Sequence, residues 1–178
     1  MIQSRKFSLL LGNGNDSTSL TLGDSNQAYV HDDFEYAELA VSPFVSDNWA
    51  FKTTSFDLGN NTITSGLAVV STRERDIVLT TDAYEQWKNI VTKFDSTLDC
   101  DSITFCGSRK KNCAQLADTV PSLKLNITDE YAYTMPVTTW SSSGFDGEQN
   151  GCTLRVMDSN QFSSESNPAI TLGLIFLK

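Results

Sequence analysis

Apolar positions between residues 7 and 80 fall in short β-branched and aromatic runs broken by turn residues, the pattern of an antiparallel β domain. Runs at 7–11 and 19–22 flank Gly12-Asn13-Gly14-Asn15-Asp16, which reads as a hairpin turn. Further strands are predicted over 49–58, 61–63 and 67–70, with turns at Gly59-Asn60 and Ser65-Gly66. The period then changes. Between residues 82 and 94, Tyr84, Trp87, Ile90, Val91 and Phe94 make one apolar stripe at helical spacing, which predicts a helix with that face in the core. Asp82 is placed to cap it, and Glu85 to return the capping-box bond. Residues 99–113 read as a polar, cysteine-bearing loop. Leu123, Leu125 and Ile127 then alternate along a strand, and further strands are predicted at 131–134, 152–157 and 170–177.

A chain of 178 residues can bury one sizeable core, and no apolar run is long enough to span a membrane, so a single domain over 1–178 without membrane insertion is expected. The formal charge of -9 and a pI near 4.4 set the surface against nucleic acid and anionic lipid. Cys100, Cys106, Cys113 and Cys152 follow a cysteine-free first half, and no two have the spacing of a zinc ribbon, so disulfides are the better reading. Three glycosylation triplets start at Asn15, Asn60 and Asn126 and agree with a secretory route. The apolar run at 7–11 is too short for the core of a signal peptide, so either an upstream segment is missing or the protein is not secreted.

Other chemistry is weakly supported. The glycines at 12 and 14 lack the third glycine and the strand-loop-helix setting of a phosphate loop, so no cofactor is expected. The single histidine, His31, sits in the acidic stretch His31-Asp32-Asp33-Phe34-Glu35, which reads as a hydrated surface turn rather than a triad or a metal site. Arg109-Lys110-Lys111 reads as a solvated loop tip.

The stretch from Ala68 to Leu79, with Val69-Val70-Ser71-Thr72-Arg73 at its head, resembles the hydrophobic-hydrophobic-Asp-Thr/Ser-Gly motif of pepsin-like aspartic peptidases. Several segments repeat that resemblance in order. Phe7-Ser8-Leu9-Leu10-Leu11 and Ser19 to Asp24 are similar to the opening hairpin of the family's carboxy-terminal lobe, and Trp49-Ala50-Phe51 to its "W.V" strand. Val120 to Leu125 is similar to its "LP.I.F" strand, and Thr171-Leu172-Gly173 to its "ILG". Asp76-Ile77-Val78-Leu79 resembles the motif region of protist members. The resemblance implies a mainly β pepsin-like lobe with one main helix near 82–94 and the first lobe absent. It also implies a Cys113–Cys152 disulfide, leaving Cys100 with Cys106 in a small local loop.

The sequence departs from the family where the chemistry lies. Ser71 stands in place of the aspartate, Arg73 in place of the glycine, and Leu174 in place of the aspartate after "ILG"; the chain also stops before the final strand. Aspartic peptidases hold a water between two carboxylates sharing one proton, one acting as base and the other as acid. Ser71 cannot ionise in that role. Glu74 and Asp76 lie three and five residues along in a tight loop, and Arg73-Glu74-Arg75-Asp76 reads as a solvated or mutually paired charge cluster. Thr72 is expected to keep a hydrogen-bonding role in the loop. The expectation is a non-catalytic lobe, extracellular or in the secretory and vacuolar system. It would serve as a structural or protein-binding module that meets a protein partner or itself through the interface the first lobe would cover. The alternatives are a fragment of a two-lobed endopeptidase and an unrelated secreted β adhesion or carbohydrate-binding domain.

Overall fold

The computed structural model describes residues 7–10, 19–22, 40, 49–100, 104–128, 131–159 and 169–176. The chain divides into two compact units, Met1–Tyr36 with Leu177–Lys178, and Ala37–Phe176. In the first, β1 (Phe7–Leu10) pairs antiparallel with β2 (Ser19–Leu22), Phe7 opposite Leu22, which is the opening hairpin expected from the sequence. Its turn lies outside the described residues.

The second unit is built on a seven-stranded sheet ordered β11-β5-β12-β4-β3-β7-β8. Its strands are β3 (Trp49–Leu58), β4 (Asn61–Val70), β5 (Ile77–Leu79), β7 (Leu123–Asn126), β8 (Ala132–Met135), β11 (Val156–Asp158) and β12 (Ile170–Leu172). Pairing is antiparallel except at β11–β5 and β12–β4. A three-stranded sheet is formed by β6 (Gly107–Ser108), β10 (Glu148–Leu154) and β9 (Ser141–Phe145), in that order. Burial follows position. β7 turns Leu123 and Leu125 inward and Lys124 outward, whereas β5, flanked by β11 and β12, buries all of Ile77, Val78 and Leu79, so its sequence is a continuous apolar run.

Helix α1 (Thr81–Phe94) buries Ala83, Tyr84, Trp87 and Val91 against the sheet; Phe94, at the end of the predicted stripe, is 39% exposed. The indole of Trp87 meets that of Trp140 edge to face at 6.5 Å, and Trp140 Nε1 donates to the Met135 carbonyl. The helix starts before the predicted cap. Thr80 is the N-cap, Asp82 lies in the first turn where its charge suits the helix dipole, and Glu85 pairs with Lys88 instead of closing a capping box. Thr81 Oγ1 donates to Asp158 on β11 and so fixes the helix start to the sheet edge.

Three further differences have local causes. The predicted turn at Ser65-Gly66 is absent because β4 runs through it: Gly66, at φ +123°, faces Thr53 where the β3–β4 register slips, and takes the strained conformation of a bulge. The loop at 99–113 holds β6 and leads into α2 (Cys113–Ala117), which is capped reciprocally by Asn112 and Gln115. The β9–β10 hairpin, absent from the sequence reading, turns on Asp146 (φ 47°) and Gly147 (φ 84°). That Asp-Gly pair is a strong hairpin signal, masked here by Ser141-Ser142-Ser143-Gly144, which has no apolar alternation.

Both disulfides form with the pairing that the resemblance implies. Cys113–Cys152 joins α2 to β10 and Cys100–Cys106 closes the loop before β6. Replacing Cys113 and Cys152 together with serine should lower stability by about 3 kcal/mol, chiefly by freeing the unfolded chain. Urea denaturation of the oxidised variant against the parent chain measures this, and coincident curves would refute it.

Candidate functional site

The motif loop, residues 71–76, leaves the end of β4 and enters β5, with β12 lying between those two strands. Leu172 faces Val70 on one side and Ile77 on the other. The Ser71 amide donates to Leu172 O at 2.9 Å, and the loop carbonyls of Asp76, Glu74 and Arg75 accept from the amides of Gly173, Leu174 and Ile175 at 3.1, 2.8 and 2.9 Å. The "ILG"-like segment therefore straps the motif loop through backbone alone. That bonding does not depend on the side chain at 174, where the family's aspartate is replaced by leucine.

Gly173 is fixed by this strapping. A Cβ there would lie 2.3 Å from Asp76 O and 2.7 Å from Arg75 C, both backbone atoms that cannot swing aside. Gly173→Ala should destabilise the fold by about 2 kcal/mol, the scale of overpacking a tight interior. A thermal melt unchanged by this substitution would contradict the strapped geometry.

Ser71, which the resemblance sets at the aspartate position, has a local role. Ser71 Oγ accepts from the Arg73 amide at 3.2 Å, so its hydroxyl closes the turn, while Thr72 is solvent-exposed. Arg73 also reaches solvent, so its long side chain needs no room inside the loop. The charge cluster does not behave as one unit. Arg73 and Arg75 are exposed and Glu74 is half-buried, but Asp76 is only 7% exposed and is held by a residue 79 positions away. Arg155, at the junction of β10 and β11, donates Nε to Asp76 Oδ1 at 2.7 Å and Nη2 to Oδ2 at 2.9 Å. The Phe105 ring lies 4.1 Å from the guanidinium carbon. A forked guanidinium engages both carboxylate oxygens of Asp76, which commits this buried carboxylate to an ion pair across the fold.

A second buried polar group, missed in the sequence, sits at the end of α1. The Asp95 carboxylate accepts from Lys111 Nζ at 2.6 Å, Thr119 Oγ1 at 2.7 Å, and the Thr97 amide and hydroxyl at 2.9 and 2.7 Å. Burial alone would raise its pKa, but these donors outweigh burial and hold the carboxyl well below the ordinary aspartate value. Thr97 also meets the fully buried Ser108 hydroxyl, which accepts from the amides of Lys110 and Lys111. The cluster ties the end of α1 to β6 and to the segment after α2. Asp95-Ser96-Thr97 carries the signal of an Asx turn, though its distant donors could not be read. At the other end of α1, burial first, and then Glu85 and Asp158, push the Tyr84 phenol up, so it stays neutral.

The basic triplet is more engaged than a solvated tip: Arg109 pairs with Asp146 and Asp99, and Lys111 with Asp95. Asn60 is exposed on the β3–β4 turn, while Asn126 lies in β7 with its side chain bonded to Ser55 and Asp57. His31, Asp32, Asp33, Glu35 and Asn15 lie outside the described residues. Among the described residues no group of three or more His, Cys, Asp or Glu could hold a metal ion, and no helix is long and apolar enough to cross a membrane.

Sheet order, strapped motif loop and disulfides define the class: the chain has the fold of a pepsin-like aspartic peptidase lobe. The crystal structure of basic 7S globulin from soybean is similar to it, with a TM-score of 0.74 and 14% identity over 96% of this chain. The chain spans 45% of the length of that protein. No family model matches the sequence, and no curated protein does.

Proposed function

We propose that the chain is a non-catalytic aspartic-peptidase-like lobe that serves as a structural or protein-binding module. The observation that carries this reading is the motif loop itself. Ser71 fills the aspartate position with its hydroxyl closing the turn, and Asp76, the buried carboxylate of the loop, is committed to Arg155. The structural match over 96% of the chain supports reading the 178 residues as one lobe. The pepsin-like fold speaks for this reading over an unrelated β domain. A second reading, one lobe of a longer two-lobed protein, is favoured by the 45% coverage of the soybean globulin. In either case this lobe supplies no aspartate at the motif position. The two disulfides support a secretory or vacuolar destination.

The partner in this reading is a protein or a second copy of the chain. Support comes from β8, outermost among the described strands, which leaves Tyr133 and Thr134 exposed. Sedimentation velocity across a micromolar concentration series should show the average mass rising with concentration. An invariant monomer would remove self-association and leave only a foreign partner.

A further inference from the structure

Two glycosylation triplets fall within the described residues, and the fold treats them in opposite ways. We propose that Asn60 carries an N-linked glycan and that Asn126 does not. The proposal rests on the secretory reading above.

Asn60 is exposed at the tip of the β3–β4 hairpin, and the hydroxyl-bearing Thr62 of its triplet is exposed two residues on. The side-chain bond that closes the turn comes from the next residue, Asn61, whose Nδ2 donates to Leu58 O at 3.4 Å. A sugar on Asn60 would therefore project into solvent without disturbing the hairpin.

Asn126 has no such latitude. It faces Ser55 across the β3–β7 ladder, and its Nδ2 donates to both Ser55 Oγ and Asp57 Oδ2 at 2.7 Å. These two bonds use both amide protons. Asp57 Oδ1 is buried with no hydrogen-bond partner among the described residues, so the carboxylate depends on the two donors that reach Oδ2, Asn126 Nδ2 at 2.7 Å and Ser55 Oγ at 3.0 Å. The third residue of the triplet is engaged too, Thr128 Oγ1 accepting from the Tyr131 amide at 3.0 Å.

The group transfer makes this contrast decisive. The asparagine Nδ2 attacks the anomeric carbon of a lipid-diphosphate-linked oligosaccharide. The N–C bond forms, the C–O bond to the diphosphate breaks, one Nδ2 proton passes to a base on the transferase, and the lipid diphosphate leaves. The linked nitrogen keeps a single proton. At Asn126 one of its two bonds would then be lost, leaving Asp57 Oδ2 with the Ser55 hydroxyl at 3.0 Å or Ser55 without the amide, and the sugar would have to fit against the β3 neighbour, so the modified chain could not close this ladder as it stands.

The 178-residue chain, fused to a heterologous secretion leader and expressed in a glycosylating cell, tests the assignment. Glycosidase release in heavy-oxygen water converts each formerly glycosylated asparagine to a mass-labelled aspartate, read by peptide mapping of both the secreted and the retained pools. Label at Asn60 in most secreted molecules and none above background at Asn126 in the secreted pool is the expected result, chains modified at Asn126 being confined to the retained pool. Label at Asn126 matching that at Asn60 in the secreted pool, or an unlabelled Asn60 in both pools, would overturn it. The secretory reading fails separately, if the protein from its own cell carries four free thiols.

Discussion

Asp95→Ala should destabilise the protein by about 3 kcal/mol, because it removes a buried acceptor and leaves the hydroxyl and amide of Thr97, the Thr119 hydroxyl and the half-buried Lys111 ammonium without it at once. Lys111 Nζ, Thr119 Oγ1 and both donors of Thr97 converge on a carboxylate that is 4% exposed at the residue level. The same group sets an acid limit. Its folded pKa is depressed, so its contribution is fully present above the unfolded aspartate value near 3.9 and is lost as pH falls from there toward the folded value. Urea midpoints of the parent chain should therefore fall below about pH 4, and those of Asp95→Asn should fall less steeply over the same window. Parallel pH profiles for the two chains would refute the assignment of this acid sensitivity to Asp95.

Breaking the clamp on the motif loop should have a comparable effect. Asp76→Ala leaves the Arg155 guanidinium, 16% exposed, without its counter-ion, and Arg155→Ala leaves Asp76 likewise; each should cost about 4 kcal/mol. Removing both partners at once is the informative variant. Asp76→Leu with Arg155→Met replaces the pair by apolar groups, and it should cost less than either single alanine change because no uncompensated charge remains. Chemical denaturation of the parent, the two alanine variants and the Asp76→Ala, Arg155→Ala double measures the coupling, with the Leu/Met chain as the apolar reference. Strictly additive losses would mean that the ion pair contributes nothing beyond its separate packing.

How far the sequence could be read depended on the range of the interactions involved. The β3 and β7 alternations, the stripe of Tyr84, Trp87 and Val91, and the order of segments around Val70 are local patterns, and they placed the main sheet and α1 correctly. The Asp82 cap failed because capping competes with tertiary anchoring. Thr81 bonds Asp158 on a strand 77 residues away and draws the helix start forward. The charged loop was misread for the same reason: Asp76 looks paired to Arg75 or Arg73 in sequence, and only the fold brings Arg155 to it. At the site, the resemblance alone points to Ser71 in place of an aspartate. What replaces it, a hydroxyl that closes the turn and a carboxylate held by a distant arginine, required the three-dimensional arrangement.

The most direct test of the central claim is cleavage of unfolded protein substrates by the purified 178-residue chain between about pH 2 and 6, where a shared-proton carboxylate pair works. The Ser71→Asp, Arg73→Gly double variant is run in parallel, to show whether restoring the motif is enough for the lobe to assemble a site by pairing with itself. Because Ser71 cannot ionise and Asp76 is held by Arg155, the unmodified chain should give no cleavage above a substrate-only blank at any pH in that range. Pepstatin-sensitive cleavage by the unmodified chain would contradict the account.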